Sequence, residues 1–505
     1  MILTEILKDL EFKLIQGSLQ KEIGSVAYDS RKCNLDSLFV AIKGTKADGH
    51  KYINDLISKG ISAIVCEDAS NISTVNDRTA IIQVKNCRIA LSRISKNWYG
   101  NPLKNIKVIG VTGTNGKTTI TYLLKAIFGK LGYKTGIIGT TGIYNGVEFE
   151  DATHTTPESL ELFKHFSKMK TLGVEYIFME VSSHALHQNR VSSIAFDCAI
   201  FTNLTHEHLD YHKTMEDYAS AKKILFNMLN KKGKAIVNGD DAYADYMIEG
   251  IKAEQKIKIG RKQHDDFRIV SEFLNLNETQ FTFEYNGQKE VFTTPLIGKF
   301  NIDNCAFAIS CAKLYGIPDD IIQSAIRKSI GAPGRMQRLK LKNGAIGIID
   351  YSHTPDSLEK ALMTCKDILK SSGTESRLIC VFGCGGDRDK TKRPLMGKIS
   401  ATIADFSIIT DDNPRTENSK HIIDDILKGI EENKLKNVEI IANRKDAIKF
   451  AVEISKENDL ILIAGKGHEN YQIYGKTKNH FDDSEELSFF ANLFDSFILA
   501  TKFLT

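Results

Sequence analysis

The sequence predicts an α/β protein of three domains, a small N-terminal one followed by two open, doubly wound parallel sheets. Three observations lead there. Between Ile106 and Leu131 a short apolar, β-branched run is followed by a glycine-rich turn, then by Ile120, Leu123, Leu124, Ile127 and Leu131 at helical spacing. From residue 105 to 332 that strand–loop–helix pattern repeats. At residue 333 the alternation restarts, which sets the third domain at 333–505.

Residues 1–104 form the small α/β unit. Ser25–Tyr28, Ser37–Ile42, Ala63–Cys66 and Ala80–Val84 read as short strands, with helical stretches at Ile53–Ser58 and Ile89–Trp98. Asp29, Ser30 and Arg31 fall where the first of these strands ends, a place for anion or hydroxyl contacts and equally for a solvated turn. Asn101-Pro102 marks a linker.

The central domain, 105–332, opens on Ile106–Val111, apolar as a buried parallel strand should be. Thr112 to Thr119 reads TGTNGKTT and ends at a helix start. Such a turn leaves backbone N–H groups free to hold an anion. Lys117 would reach the β/γ-phosphates, with the Thr118 hydroxyl on Mg²⁺. The strict G-x-x-x-x-G-K-[ST] pattern needs glycine at 111, where this chain has Val111, with Gly113 inside the loop instead. A tight strand–helix connection would explain the glycines alone. Strand, Gly-Lys-Thr and helix together read as a nucleoside triphosphate site. Val174–Val181 holds Glu180 and precedes Ser182, Ser183 and His184; Phe196–Thr202 precedes the loop from Asn203 to His212; Ala235–Asn238 is a further strand. Ligands of open sheets gather at the strand carboxyl ends, which brings Lys117, Glu180 and His208 together.

In the third domain Ala345–Asp350, Arg377–Phe382, Phe406–Thr410, Val438–Ala442 and Leu460–Ala464 are strand candidates, with helices such as Ser357–Leu369 and Ile422–Glu431 between them. The pattern is Rossmann-like. Gly383 to Arg388, GCGGDR, is not G-x-G-x-x-G, so no nicotinamide or flavin site is expected. Asp412-Asn413-Pro414-Arg415 and Gly465 to Glu469 (GKGHE) each follow a strand of this sheet. Asn-Pro alone is a routine turn, and a loop arginine is usually solvated. Side by side the two loops could hold a zwitterion, Glu469 taking an ammonium and Arg388 or Arg415 a carboxylate.

Bulk properties narrow the class. The 505 residues are 42% hydrophobic and 26% charged, ordinary for a globular chain. A net charge of +4, without a Lys/Arg block, gives no sign of a nucleic-acid partner. No apolar run approaches the roughly 18 residues that span a bilayer, and the N-terminus lacks a signal peptide's apolar core. Nine scattered cysteines read as buried free thiols in a reducing cytoplasm. His206, His208, Asp210 and His212 fall one residue outside the H-x-H-x-D-H spacing of binuclear zinc hydrolases. A chain with a Gly-Lys-Thr loop calls for Mg²⁺, a hard ion that prefers oxygen.

These residues, in order, resemble the Mur ligase family, and within it the branch that adds the third residue of the peptidoglycan stem peptide. The matching segments include Asp29 to Arg31, Thr112 to Thr118, Thr155 to Pro157, Glu180 to His184 and Asn203 to His212. Gly298 to Asn304, Pro333 to Met336, Asp350 to His353, Asp412 to Arg415 and Gly465 to Glu469 continue them. The family's loop is T-G-T-N-G-K-[ST], which accounts for Val111. His154 stands where some relatives have asparagine.

The resemblance implies a P-loop ATPase-like central domain and an ATP-dependent amide ligase. It would activate the D-glutamate of UDP-N-acetylmuramoyl-L-Ala-D-Glu as an acyl phosphate for attack by a diamino acid. It implies that Gly113, Thr114, Asn115, Gly116, Lys117, Thr118 and Thr119 hold the phosphates, while Asn304, Arg335, Asp350 and His353 contact adenine and ribose. Ser30, Thr155, Thr156, Ser182, Gln188 and Arg190 would contact the UDP-muramoyl peptide. Thr118, Glu180, His208 and Lys222, the last as a carbamate made with CO2, would be metal-associated; Lys117, His208 and Lys222 are the catalytic expectations. Lys223 beside Lys222 is an ordinary helix lysine.

Family members using meso-diaminopimelate carry Asp-Asn-Pro-Arg, and lysine-adding relatives depart from it at the arginine. Arg388, Asp412, Asn413, Pro414, Arg415, Gly465 and Glu469 are therefore expected at the diaminopimelate. The alternatives are the same ligase using L-lysine, a folylpolyglutamate synthetase-like ligase, and a nucleotide switch without an acceptor site. A monomeric cytoplasmic enzyme without membrane insertion is expected.

Overall fold

The computed structural model describes residues 1–491 apart from 45–46, 71, 73–77, 206, 276–277 and 373–375; the side chains of Leu209, Asp210 and Ser372 also lie outside the description. The chain divides into two compact units, Met1–Arg268 with Phe307–Ile317, and Ile269–Ala306 with Pro318–Thr505.

The first unit begins with β1 (Lys13–Gln16), β2 (Ser25–Ala27), β3 (Ser37–Val40), β4 (Ala63–Cys66) and β5 (Ala80–Gln83), ordered β1-β5-β4-β3-β2. Strands β2 to β5 are parallel and match the predicted ones. β1 runs antiparallel at the edge and escapes prediction, because its exposed residues carry no apolar pattern. Leu38, Val40, Val65 and Ile82 pack on Ala90, Leu91 and Ile94 of the helix Cys87–Trp98. Asn86 caps that helix by accepting from Arg88 N and Ile89 N.

The same unit holds β6 (Lys107–Thr112), β7 (Thr135–Gly139), β8 (Gly142–Tyr144), β9 (Phe149–Glu150), β10 (Tyr176–Glu180), β11 (Phe196–Phe201), β12 (Leu229–Asn238) and β13 (Gln255–Gly260). Their order is β13-β12-β11-β6-β10-β7-β8-β9. β6 lies between β10 and β11, parallel to both, so its loop opens where the winding reverses. The helix Lys117–Lys130 buries Ile120, Leu123, Leu124 and Ile127 as predicted. Leu131 departs from the prediction: it caps the helix and is 39% exposed, since Gly132 (φ 101°) ends the helical path.

The second unit holds β14 (Phe267–Leu274, which the unit boundary crosses), β15 (Thr279–Tyr285) and β16 (Gln288–Thr294), then β17 (Gln337–Lys340), β18 (Ile346–Asp350), β19 (Leu378–Phe382), β20 (Phe406–Ile409), β21 (Val438–Ile440), β22 (Leu460–Ala464), β23 (Tyr471–Tyr474) and β24 (Thr477–His480). β15 and β16 form an antiparallel ribbon that the strand–helix reading passes over, although Phe281 and Phe283 alternate inward along β15. The order β17-β18-β22-β19-β20-β21 is parallel except for β17, with the winding reversing between β19 and β22. The predicted helix Ile422–Glu431 runs instead over Ser419–Leu427. Gly429 lies against the Pro394 carbonyl, where a side chain would collide.

All nine cysteines are free thiols, and eight are buried. Among the described residues no helix is long and apolar enough to cross a membrane.

Candidate active site

In each unit most of the predicted residues sit on loops after parallel strands, with Lys222 and Asn304 instead inside helices. In the first, Gly113 (φ 143°) and Gly116 (φ 89°) bend the loop after β6 through backbone that other residues avoid. A Cβ on Gly113 would also collide with the Thr202 hydroxyl. Thr114 N donates to Asn203 O at 2.8 Å and Asn115 N to Asn203 Oδ1 at 3.0 Å, so the loop after β11 braces this one. Gly116 caps the helix without a side chain over its first N–H groups, which leaves an anion cradle. Lys117 Nζ donates to Gly113 O at 2.9 Å and Thr114 O at 2.8 Å, while Thr118 and Thr119 are buried behind it.

Glu180 ends β10, 1% exposed, and accepts from Thr140 N at 2.9 Å and Thr140 Oγ1 at 3.1 Å. Thr140 Oγ1 is 3.0 Å from Thr155 Oγ1. Thr156 Oγ1 donates to Glu180 O at 2.9 Å and accepts from Ser182 N at 3.1 Å. Arg190 donates to Thr156 O and to Gln188 Oε1, both at 2.8 Å, and pairs with Glu158 at 3.0 Å. Thr155, Thr156, Ser182, Gln188 and Arg190 thus form one network beside the phosphate loop. Ser30 lies apart in sequence, in the turn Ser30–Lys32 after β2. There Arg31 closes on Asp29 at 2.7 Å and holds that carboxyl down at about 2. Tyr28, Asp29, Lys32, Leu160 and Glu161 line a cleft of about 210 Å³ beside it.

Lys222 is 1% exposed in the helix Met215–Asn227, its Nζ 4.2 Å above the Tyr218 ring. Burial, and then the charge of Lys117, push its ammonium well below the usual lysine range. Tyr218 Oη lies 3.3 Å from Thr114 Oγ1, and its ring stacks on His212 at 5.0 Å. Burial and the neighbouring His184 hold His212 down at about 4. His208 has left-handed backbone (φ 58°) and meets His184 edge-on at 5.0 Å. His206 and the side chain of Asp210 lie outside the described residues.

Among the described residues no three His, Cys, Asp or Glu side chains group closely enough to hold a metal by themselves. The buried Thr118 hydroxyl and the Glu180 carboxylate are hard oxygen donors. Mg²⁺ is commonly held by one or two protein oxygens, water and substrate phosphates, so this donor set fits it.

In the second unit the loops after β19, β20 and β22 meet. Asp412 and Asn413 are buried. Asn413 Nδ2 donates to Glu469 Oε2 at 3.0 Å, and its Oδ1 accepts from Ile473 N at 3.0 Å. Arg415 (φ 52°) donates from Nη1 to Gly386 O at 2.8 Å, beside exposed Arg388. Gly465 N donates to Asp350 O at 3.1 Å, joining this cluster to Asp350, whose Oδ2 accepts from Met336 N at 2.8 Å. Arg335 and His353 flank the Tyr351 ring at 5.1 and 4.5 Å. Asn304, 5% exposed, donates to Asn301 Oδ1 at 3.0 Å.

Known proteins resemble this chain along nearly its whole length. Residues 22–99 match the Mur ligase family catalytic domain, 111–312 the Mur ligase middle domain, and 334–467 the Mur ligase glutamate ligase domain. The chain belongs to the Mur ligase family. It is an ATP-dependent amide ligase, and its three α/β domains are the family's. A Clostridium botulinum protein named UDP-N-acetylmuramoyl-L-alanyl-D-glutamate–2,6-diaminopimelate ligase is 45% identical, covering 96% of this chain and 98% of its own. A Clostridium tetani protein of the same name is 41% identical over 96% and 98%. A solved structure, also titled as that ligase, aligns with a TM-score of 0.69 at 30% identity, covering 97% of this chain and 99% of its own.

Several residues of this Mur ligase site went unread in the sequence. Tyr218 stands one helical turn before Lys222, a spacing that puts both on one face and could have revealed it. Lys466 sits inside the GKGHE loop, between the predicted Gly465 and Glu469. Thr140 belongs to no motif, and only folding brings it to Glu180.

Proposed function

We propose that the chain joins meso-diaminopimelate to the D-glutamate of UDP-N-acetylmuramoyl-L-Ala-D-Glu with ATP, in peptidoglycan precursor synthesis. The observation that carries this reading is the Asp412–Arg415 loop, where a buried Asn413 holds Glu469 and Arg415 faces the loop of Arg388. An acid and two guanidinium groups together suit an amino acid end with one ammonium and one carboxylate. L-Lysine lacks that second carboxylate.

A free carboxylate is a poor electrophile, so its oxygen attacks the γ-phosphorus of ATP, ADP leaves, and an acyl phosphate forms. The amine of the diamino acid then adds to the carbonyl carbon and inorganic phosphate departs, giving the amide and releasing a proton. The chain's share is position and charge. Gly113 to Thr119 hold the phosphates and Lys117 swings from its loop carbonyls onto them. Asn304, Arg335, Asp350 and His353 hold adenine and ribose. Ser30, Thr155, Thr156, Ser182, Gln188 and Arg190 orient the muramoyl peptide.

Thr118, Glu180 and His208 would hold Mg²⁺, which when bound neutralises phosphate charge. A buried lysine kept as the free amine can add to CO2, lose a proton and become a carbamate. Lys222 would thereby turn from a cation that repels the metal into an anion that supports it. Residues 1–104, 105–332 and 333–505 would serve the muramoyl nucleotide, ATP and the amino acid in turn, in a monomer of the cytoplasm.

The test is phosphate release measured with each substrate omitted. Release requiring both the muramoyl dipeptide and diaminopimelate supports the ligase. Release with neither points to a nucleotide switch, and release with a folate in place of the muramoyl dipeptide to a folylpolyglutamate synthetase.

A further inference from the structure

Lys466, inside the GKGHE loop after β22, carries a charge that nothing above employs. Its side chain has no exposed surface. Its Nζ lies 3.3 Å from Glu469 Oε2, 3.7 Å from Asp412 Oδ1 and 3.5 Å from Asn413 Oδ1, with the Tyr471 ring 5.3 Å away. Asp412 and Glu469 come from the loops after β20 and β22, and Asn413 Nδ2 also touches both, at 3.3 and 3.0 Å. Two carboxylates and one amide therefore converge on this internal cation, while the buried Arg444, which also feels Asp412 and Glu469, is paired with Asp483 at 2.7 Å. A buried ammonium is tolerated only where anions compensate it, and two close carboxylates, here the buried Asp412 and half-buried Glu469, are eased by a cation between them.

We infer that Lys466 is a specificity-determining positioning residue: it cancels one of the two carboxylate charges of the acceptor pocket, so that the pocket accepts one ammonium only when a carboxylate arrives with it.

This rests on the acceptor reading proposed above. With Lys466 in place, Asp412 and Glu469 together carry one surplus negative charge, which one ligand ammonium satisfies. Arg388 and Arg415 donate to backbone carbonyls and have no carboxylate partner among the described residues, so a ligand carboxylate would supply one. Without the Lys466 charge the surplus doubles. A ligand end bearing an ammonium and no carboxylate, such as the side chain of L-lysine, then gains relative to the zwitterionic end of diaminopimelate. Lys466 also holds Glu469 against Asn413, so the carboxylate that receives the ammonium is already oriented when the ligand enters.

The experiment measures kcat/KM for meso-diaminopimelate and for L-lysine, with muramoyl dipeptide and ATP saturating, in wild type, Lys466→Met, Lys466→Arg and Lys466→Met/Asp412→Asn. Lys466→Met is expected to shift the diaminopimelate-to-lysine ratio toward lysine by about tenfold, the worth of one charged contact. Lys466→Arg, which keeps the charge, should hold the ratio within about threefold of wild type. The double variant removes one cation and one anion and should restore the ratio whether or not Lys466→Met folds well. A purely structural lysine would lower both activities together and leave the ratio alone. An unchanged ratio in Lys466→Met, or a double variant whose ratio stays far from wild type, overturns the inference. A wild-type enzyme that turns over neither amino acid would instead remove the acceptor reading beneath it.

Discussion

Arg415 Nη1 donates to the carbonyl of Gly386 at 2.8 Å, tying the loop after β20 to the loop that carries Arg388. The backbone N of Arg415 donates to Ile473 O at 3.0 Å, so the residue is held from the β23 side as well. One side chain thus bridges the two loops that carry the guanidinium groups expected at the distal carboxylate.

Arg415→Ala should reduce the preference for diaminopimelate over lysine by roughly ten- to a hundredfold, the worth of a charge-assisted hydrogen bond of about 1.5–3 kcal/mol. Arg415→Lys should not restore it, since an ammonium cannot make the two-pronged contact. Competition assays with both amino acids decide; an unchanged preference would mean the wrong residue has been assigned.

Lys222→Met should cost at least about a hundredfold in turnover, while the melting temperature stays level or rises. The lysine is buried over Tyr218 and near the charge of Lys117, so its ammonium is disfavoured where it sits. Melting curves and initial rates on the same preparation test both halves. A large drop in melting temperature would recast Lys222 as a packing residue.

Glu180→Gln should raise the Mg²⁺ concentration needed for half-maximal activity. Both donors on this carboxylate come from Thr140. They reach different oxygens, Thr140 N to Oε1 and Thr140 Oγ1 to Oε2, so an amide keeps one acceptor, turns its NH2 to the other donor, and brings no charge to a cation. The stability cost should be about 1–3 kcal/mol. A Mg²⁺ titration of activity with matching denaturant curves reads both.

Glu417 predicts a pH effect. It pairs with both terminal nitrogens of the fully buried Arg393 at 3.0 and 3.1 Å and accepts from Asp387 N at 2.6 Å. Arg393 holds its carboxyl down at about 2, below the ordinary glutamate value of 4.5. A depressed acid stabilises the fold above its unfolded pKa, and that stability drains away as pH falls from about 4.5 toward 2. Glu417→Gln should therefore lose stability at neutral pH and show a shallower decline below 4.5. Denaturant midpoints at several pH values would expose parallel acid limbs, the result against it.

Most strands could be read directly because their cause is local. VIGVT in β6 and LILIA in β22 are apolar, partly β-branched runs, and a strand buried on both faces needs nothing more to be recognised. β1 was missed for the opposite reason: an exposed edge strand is defined by its partner β5, and its own residues say little. The helix from Lys117 was visible in its period, whereas its last turn depended on Gly132.

The phosphate loop, Glu180 and the Asp412–Arg415 loop are specified by the order of residues along the chain, because glycine conformation, helix start and strand end act within a few bonds. Tertiary structure alone decided that Thr140 would hold Glu180 and that Lys466 would stand beside Asp412. Those pairings join residues from different strand ends, and the charge a buried group may keep depends on which partners the fold delivers to it.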